Sequence, residues 1–236
     1  MLPPETEAVW EFVKTQPALG GFVLIGGSAL ALRLGHRRSE DLDLACLERR
    51  LPRPHLEALL LLARNHGLRF DRDDDEVTLQ YFIQDGLELH DFQQNFVAGG
   101  GVKVSFFTAD DQLRRVLTAP REATPRVATL EELFNAKCLV SALRSKTRDW
   151  LDLYLLMREH GFTIQQFAEA FRRAGAENQC DTALARLCSG IPQKDDEGYA
   201  HLLAAPPSLP EITAFFQEQR NRLEIEKASQ VKRRGS

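Results

Sequence analysis

Asp41 and Asp43 stand two residues apart in a stretch, Asp41-Leu42-Asp43-Leu44-Ala45, that alternates polar and apolar. On a strand such residues point the same way and lie about 6.7 Å apart. Two carboxylates so placed repel unless something positive sits between them, and their hard oxygens suit Mg²⁺. A solvated strand face or a charge-guarded edge would show the same pattern. Upstream, Gly26-Gly27-Ser28 follows the apolar run Phe22 to Ile25 and opens a compact helical stretch that ends at Gly35. Glycines let the backbone approach a ligand. Ser28 falls at a helix N-cap position, where free N–H groups and the positive dipole end favour an anion. A plain strand-to-helix turn would need the same glycines. Ser28 and Asp41 are thirteen residues apart, room for about two helical turns and a return, so an anion-binding turn and a cation-binding strand can be neighbours. That pairing suits a nucleoside triphosphate with Mg²⁺.

A second group of charges lies further on. At 100° per residue, Leu130, Leu133, Phe134, Val140 and Leu143 define an apolar arc that also contains Lys137 and Arg144. Burying an unpaired ammonium costs several kcal/mol, so Lys137 must snorkel, meet a carboxylate or face an anionic ligand. Asp149 and Asp152, three apart on the next helix, are its internal partners. An ion network and a ligand site both satisfy that requirement.

The elements that must position these groups fall into two halves. In the first, the patterning predicts a helix over 5–17, strands over 22–25 and 41–45, and a helix over 53–65. It then predicts strands over 77–83, 87–92 and 102–107, with Asp85-Gly86 as a hairpin turn and Gly99-Gly100-Gly101 as a flexible break. After Pro125 the texture is helical: 130–144, 147–159, 163–173, 178–187 and a last helix from near Pro210, with a polar, basic end from Lys227 expected to fray. The fold class is therefore α/β (α+β): a mixed sheet with flanking helices over residues 1–125, then a helical C-terminal domain over 126–236.

The 236 residues, 43% hydrophobic and 27% charged, exclude a disordered or fibrous chain. No apolar run approaches the ~20 residues of a membrane helix, and the N-terminus has no export signal, so a cytoplasmic location without membrane contact is expected. Cys46, Cys138, Cys180 and Cys188 form no CxxC pair and read as reduced, mostly buried thiols. The six histidines share no metal spacing. A net charge of -4 excludes chain-wide attraction to nucleic acid, which leaves RNA contact to local groups such as Arg114-Arg115, Arg172-Arg173 and Lys232-Arg233-Arg234.

Gly26-Gly27-Ser28, the short helix and then His36-Arg37-Arg38-Ser39-Glu40-Asp41-Leu42-Asp43-Leu44 resemble the nucleotidyltransferase (DNA polymerase β-like) superfamily, and closely its AbiEii-type toxin branch. That branch reads Gly-Gly-Ser/Thr, then Arg-x-Ser-x-Asp-hydrophobic-Asp. Lys137, Arg144, Arg148-Asp149 and Asp152 match its second block, Lys-x6-Arg followed by Arg-Asp-x-x-Asp. The resemblance spans most of residues 20–157. It implies a Mg²⁺-dependent enzyme that moves NMP from an NTP, ATP among the candidates, to a tRNA 3′ end or a protein, as the toxin of a toxin–antitoxin or phage-defence system. It also implies roles. Gly26, Gly27, Ser28, Arg37, Ser39 and Arg144 bind nucleotide, and Asp41 and Asp43 hold Mg²⁺. Lys137 meets the triphosphate. Asp149 orients Lys137 or assists the attacking hydroxyl, and the helical domain completes the active-site cleft. In relatives the residue matching Ser39 can be phosphorylated by a cognate antitoxin.

One departure stands out. The wider superfamily places a third carboxylate on a later strand, where this chain has Ser105; Glu88 or Asp91 would have to substitute, and a single Mg²⁺ is the expectation. The missing carboxylate also permits a non-catalytic nucleotide- or RNA-binding module on the same fold. An Asp-x-Asp glycosyltransferase fits poorly, since only forty residues precede Asp41.

Overall fold

The computed structural model describes the backbone of residues 1–234 and side chains up to residue 229. The chain divides into two compact units, Met1–Leu133 and Phe134–Ser236.

The first unit begins with α1 (Pro4–Val13), which has proline in its first turn, where no N–H is needed, and Glu5 and Glu7 at its positive end. It buries Thr6, Val9, Trp10 and Val13, the i, i+3, i+4, i+7 stripe of an amphipathic helix. The helix stops at Val13 rather than at 17, and Pro17 opens a separate 3-10 turn. There follow β1 (Phe22–Ile25), α2 (Gly26–Leu34), β2 (Leu42–Cys46), α3 (Arg53–Asn65), β3 (Phe70–Arg72), α4 (Glu76–Gln84), β4 (Gln93–Ala98), β5 (Val102–Thr108), α5 (Asp111–Val116) and β6 (Arg126–Val127). The six strands form one mixed sheet in the order β3-β4-β5-β2-β1-β6. β2 is antiparallel to β1 and parallel to β5.

Register separates the two faces. Leu24, Leu44 and Phe106 align across β1, β2 and β5, and Leu42, Val104 and Phe96 across β2, β5 and β4; all six are buried. Phe106 meets Phe22 and Phe96 edge-on at centroid distances of 5.7 and 6.1 Å, the geometry that aromatic quadrupoles prefer. The opposite face carries Ile25, Asp43, Ser105 and Asn95 at aligned positions.

Two expected strands are not strands. Residues 76–84 form α4, because Asp75 caps the first turn by accepting from the Thr78 N–H at 2.7 Å. Asp85-Gly86 is the end of that helix and not a hairpin turn: Gly86 takes φ 69°, and the Leu87 N–H returns to the Phe82 carbonyl at 2.8 Å. Residues 89–91 make a 3-10 turn. The strand that pairs with β5 is instead β4, and Gly99–Gly101 is the connector of this hairpin.

The second unit is helical. α6 (Leu130–Leu143) runs across the division, followed by α7 (Thr147–Glu159), α8 (Ile164–Ala174), α9 (Cys180–Ser189) and α10 (Leu209–Arg234). Thr163 and Gln166 form a capping box at the start of α8. Trp150, Phe167, Phe171 and Phe216 are fully buried, and Phe134 stacks on Phe162 at 4.3 Å. α6 is buried on all sides over 132–139, while Leu143, expected inside its apolar arc, is exposed. The helix expected to fray from Lys227 continues to Arg234; the side chains of Lys232, Arg233 and Arg234 lie outside the described residues. Cys46, Cys138 and Cys180 are buried free thiols, and Cys188 is half-buried. Among the described residues no helix is long and apolar enough to cross a membrane.

Candidate active site

In the first unit the sheet brings Gly26, Gly27, Ser28, Arg37, Ser39, Asp41 and Asp43 into one cluster. Ile25, extended at φ -123°, is the N-cap of α2, and Gly26 opens the helix at φ 75°. Ser28 is therefore its third residue and not its cap. Its buried hydroxyl donates to the Asp41 carbonyl and lies 3.1 Å from the Ser39 hydroxyl.

The glycines are required by space. A Cβ on Gly26 would lie 2.6 Å from Asp43 Oδ2, and one on Gly27 would lie 2.6 Å from Arg37 Nη2 and 2.7 Å from Ser39 Oγ. The start of α2 thus rests directly on the acidic strand and on the arm before it. That arm, residues 35–41, has no regular structure. It is held by Arg37 Nη1, which donates to the Arg38 carbonyl at 2.8 Å, and by Thr6 Oγ1, which donates to the Glu40 carbonyl at 3.0 Å.

Asp43 lies within β2, whereas Asp41 precedes it; both are half-buried. Beside Asp43 in the sheet comes Ser105, then Asn95, whose side-chain carbonyl accepts from Gln93 Nε2 at 3.2 Å. The register position of a third carboxylate is thus neutral. Glu88 and Asp91 precede β4 outside this row: Glu88 lies 3.5 Å from His90 Nδ1, and Asp91 pairs with Arg50 at 2.8 Å and Arg53 at 3.4 Å. Among the described residues no group of three or more His, Cys, Asp or Glu could hold a metal ion. The donor set nevertheless fits Mg²⁺, which takes one or two carboxylates and completes its shell from water and phosphate, and the missing Cβ of Gly26 lets Asp43 Oδ2 lie directly against the start of α2.

The second unit carries its own cluster. Lys137 Nζ lies 2.5 Å from Asp149 Oδ1 and 2.8 Å from Asp152 Oδ2, with all three residues buried. Arg144 Nε donates to Asp149 Oδ2 at 2.8 Å. Burial alone would raise the Asp149 carboxyl, but the Lys137 ammonium and the Arg144 guanidinium outweigh it and hold it below the usual carboxylate range. Lys137 does not snorkel. Arg148, the remaining matched residue, pairs with Glu197 at 3.4 Å.

Thr6 and Asn95 escaped the sequence reading. A lone threonine on a helix has no spacing signal. Asn95 enters through register with Ser105, which becomes visible only once β4 is recognised as a strand.

No curated protein matches the chain. It is similar to the crystal structure of JHP933 from Helicobacter pylori, at 17% identity and a TM-score of 0.50, over 99% of this chain and 100% of that one. A proposed nucleotidyltransferase from H. pylori gives 18% identity and a TM-score of 0.50, over 93% and 95%. At such identities the likeness establishes the fold. The profile of a family described as "Nucleotidyl transferase AbiEii toxin, Type IV TA system" matches residues 14–229. The chain belongs to the AbiEii nucleotidyltransferase toxin family.

Proposed function

We propose that this enzyme transfers a nucleoside monophosphate from an NTP to the 3′ end of a tRNA in the cytoplasm, and that a cognate antitoxin restrains it. The observation that carries this reading is the contact of the Gly26-Gly27 turn with Asp43, Arg37 and Ser39, which sets an anion-binding helix start against a carboxylate strand. The N–H groups at the start of α2 and the Arg37 guanidinium grip the phosphates. Asp41 and Asp43 would hold Mg²⁺, which supplies charge neutralisation at the phosphates. Asp149 is held ionised by its cations, so it orients Lys137 and is a poor proton acceptor. The acceptor hydroxyl forms the new bond to the α-phosphorus as the bond to the β-phosphate bridging oxygen breaks, and its proton passes to water.

Ser39 is buried against Gly27 and Ser28. Its phosphorylation by an antitoxin would need the arm displaced, and would then set a dianion beside Asp41 and Asp43.

The test offers each labelled NTP with total RNA and total protein to the wild type and to Asp41→Ala/Asp43→Ala. Label on RNA 3′ ends from the wild type alone supports the reading. Label on protein moves the acceptor, and NTP binding without pyrophosphate release makes the chain a binding module.

A further inference from the structure

We propose that the hydroxyls of Thr6 and Ser28 are positioning groups that clamp the backbone on either side of Asp41 and so fix its carboxylate for metal and nucleotide. The inference rests on the reading of Asp41 as a metal ligand. The arm over 35–41 has no ladder bonds of its own before β2 begins at Leu42. Two successive carbonyls in it are nonetheless taken by hydroxyls from different helices. The Glu40 carbonyl accepts from Thr6 of α1 at 3.0 Å, and the Asp41 carbonyl accepts from Ser28 of α2. Both residues are 1% exposed.

Thr6 occupies a core position, on the same stripe as Val9, Trp10 and Val13. Valine, of the same shape, would fill it without burying a polar atom, and a helical threonine ordinarily turns its hydroxyl back to its own helix. This one reaches a carbonyl 34 residues away. Ser28 gives a complementary argument. A serine has one proton to donate; that of Ser28 faces acceptors within the protein, the Asp41 carbonyl and the Ser39 hydroxyl, rather than a phosphate. Its contribution to the nucleotide is its backbone N–H, and its hydroxyl serves the carboxylate arm.

Mn²⁺ alone, titrated by calorimetry or electron paramagnetic resonance, reads the clamp apart from turnover. Wild type is compared with Thr6→Val, Thr6→Ser, Ser28→Ala and Asp41→Ala, with a melting curve for each. The expected result is a Mn²⁺ dissociation constant raised about fivefold in Thr6→Val, the scale of one neutral hydrogen bond, and restored in Thr6→Ser. In turnover, Thr6→Val and Ser28→Ala lower kcat with KM for NTP little changed. The proposal is overturned if Thr6→Val binds Mn²⁺ like wild type, if Asp41→Ala does, or if Ser28→Ala raises KM at constant kcat, the mark of a lost phosphate donor. A wild type that binds Mn²⁺ but transfers no nucleotide sinks the functional reading, and the metal titrations still decide the clamp.

Discussion

The two charged clusters handle charge in opposite ways. In the helical unit, Lys137 is closed off by Asp149 and Asp152 within 2.5 and 2.8 Å, buried beside them. In the sheet unit, Asp41 and Asp43 are half-buried and lie beside two glycines, with two side-chain hydroxyls bonded to the carbonyls of Glu40 and Asp41 and a neutral serine next to Asp43 in the sheet. A charge whose partners are built in is first a matter of stability. One set against a helix start and a glycine turn is, in the function proposed above, where the ligand sits. The largest effect should therefore be catalytic and confined to the first unit: Asp43→Ala is expected to lower labelled-nucleotide transfer by about 10³-fold or more. Its melting temperature should fall less than that of Asp149→Ala. The reverse order in the melting curves would break the contrast.

The helical cluster should respond through stability. Lys137→Met leaves two carboxylates buried together and is expected to cost about 3–5 kcal/mol in urea unfolding. Lys137→Met/Asp149→Asn/Asp152→Asn removes the three buried charges, leaving only the half-exposed Arg144, and should recover most of that loss, because a buried ion pair is often replaceable by neutral groups. Its transferase activity should stay low if Lys137 also serves the phosphates. A triple variant less stable than the single one would show that the network contributes more than charge balance.

Much of this was readable from the sequence because it is local. The helices α3, α6, α7 and α8 announce themselves by periodicity, and Asp41-x-Asp43 and Gly26-Gly27-Ser28 by spacing. The misread segment, 77–92, shows where locality fails. Val77, Thr78, Tyr81, Phe82 and Ile83 have strand composition, yet one side chain, Asp75, fixes a helix start. β4 was hidden by its glutamines: its buried positions are Gln94, Phe96 and Ala98, with Gln94 Nε2 satisfied by the His90 carbonyl at 3.1 Å. Ser28 reads as the cap because the strand ends just before the glycines, but a glycine at φ 75° lets the helix begin three residues earlier. Thr6 acts across 34 residues, a pairing with no trace in local pattern.

A smaller effect sharpens the contrast within the first unit. Gly26→Ala places a Cβ where Asp43 Oδ2 already sits 2.6 Å away, at a φ of 75° that side chains rarely adopt. It is expected to cost about 1–3 kcal/mol and to weaken Mn²⁺ binding together with stability. Gly35→Ala, also at positive φ but with nothing within 4 Å, should cost stability alone. Equal metal affinity in the two variants would separate the glycine turn from the carboxylate.

Acid stability supplies a further contrast, since the sheet unit has a closed charge pair too, away from Asp41 and Asp43. Glu132 is gripped by both Arg126 terminal nitrogens at 2.8 Å and accepts from the Thr118 and Thr129 N–H groups at 2.6 and 2.7 Å. Burial would raise its carboxyl, but these four donors outweigh it and hold it at about 2, against an ordinary 4.5. A carboxyl depressed by folding contributes stability above its unfolded value and loses it as pH falls toward the folded one. Wild type should therefore lose stability between pH 4.5 and about 2, and Glu132→Gln should flatten that part of the curve while being less stable at neutral pH. Since Asp149 is depressed in the same sense, an acid limb remains in Glu132→Gln. The limb should shrink further only when Asp149→Asn is added, which assigns one share of acid sensitivity to each unit.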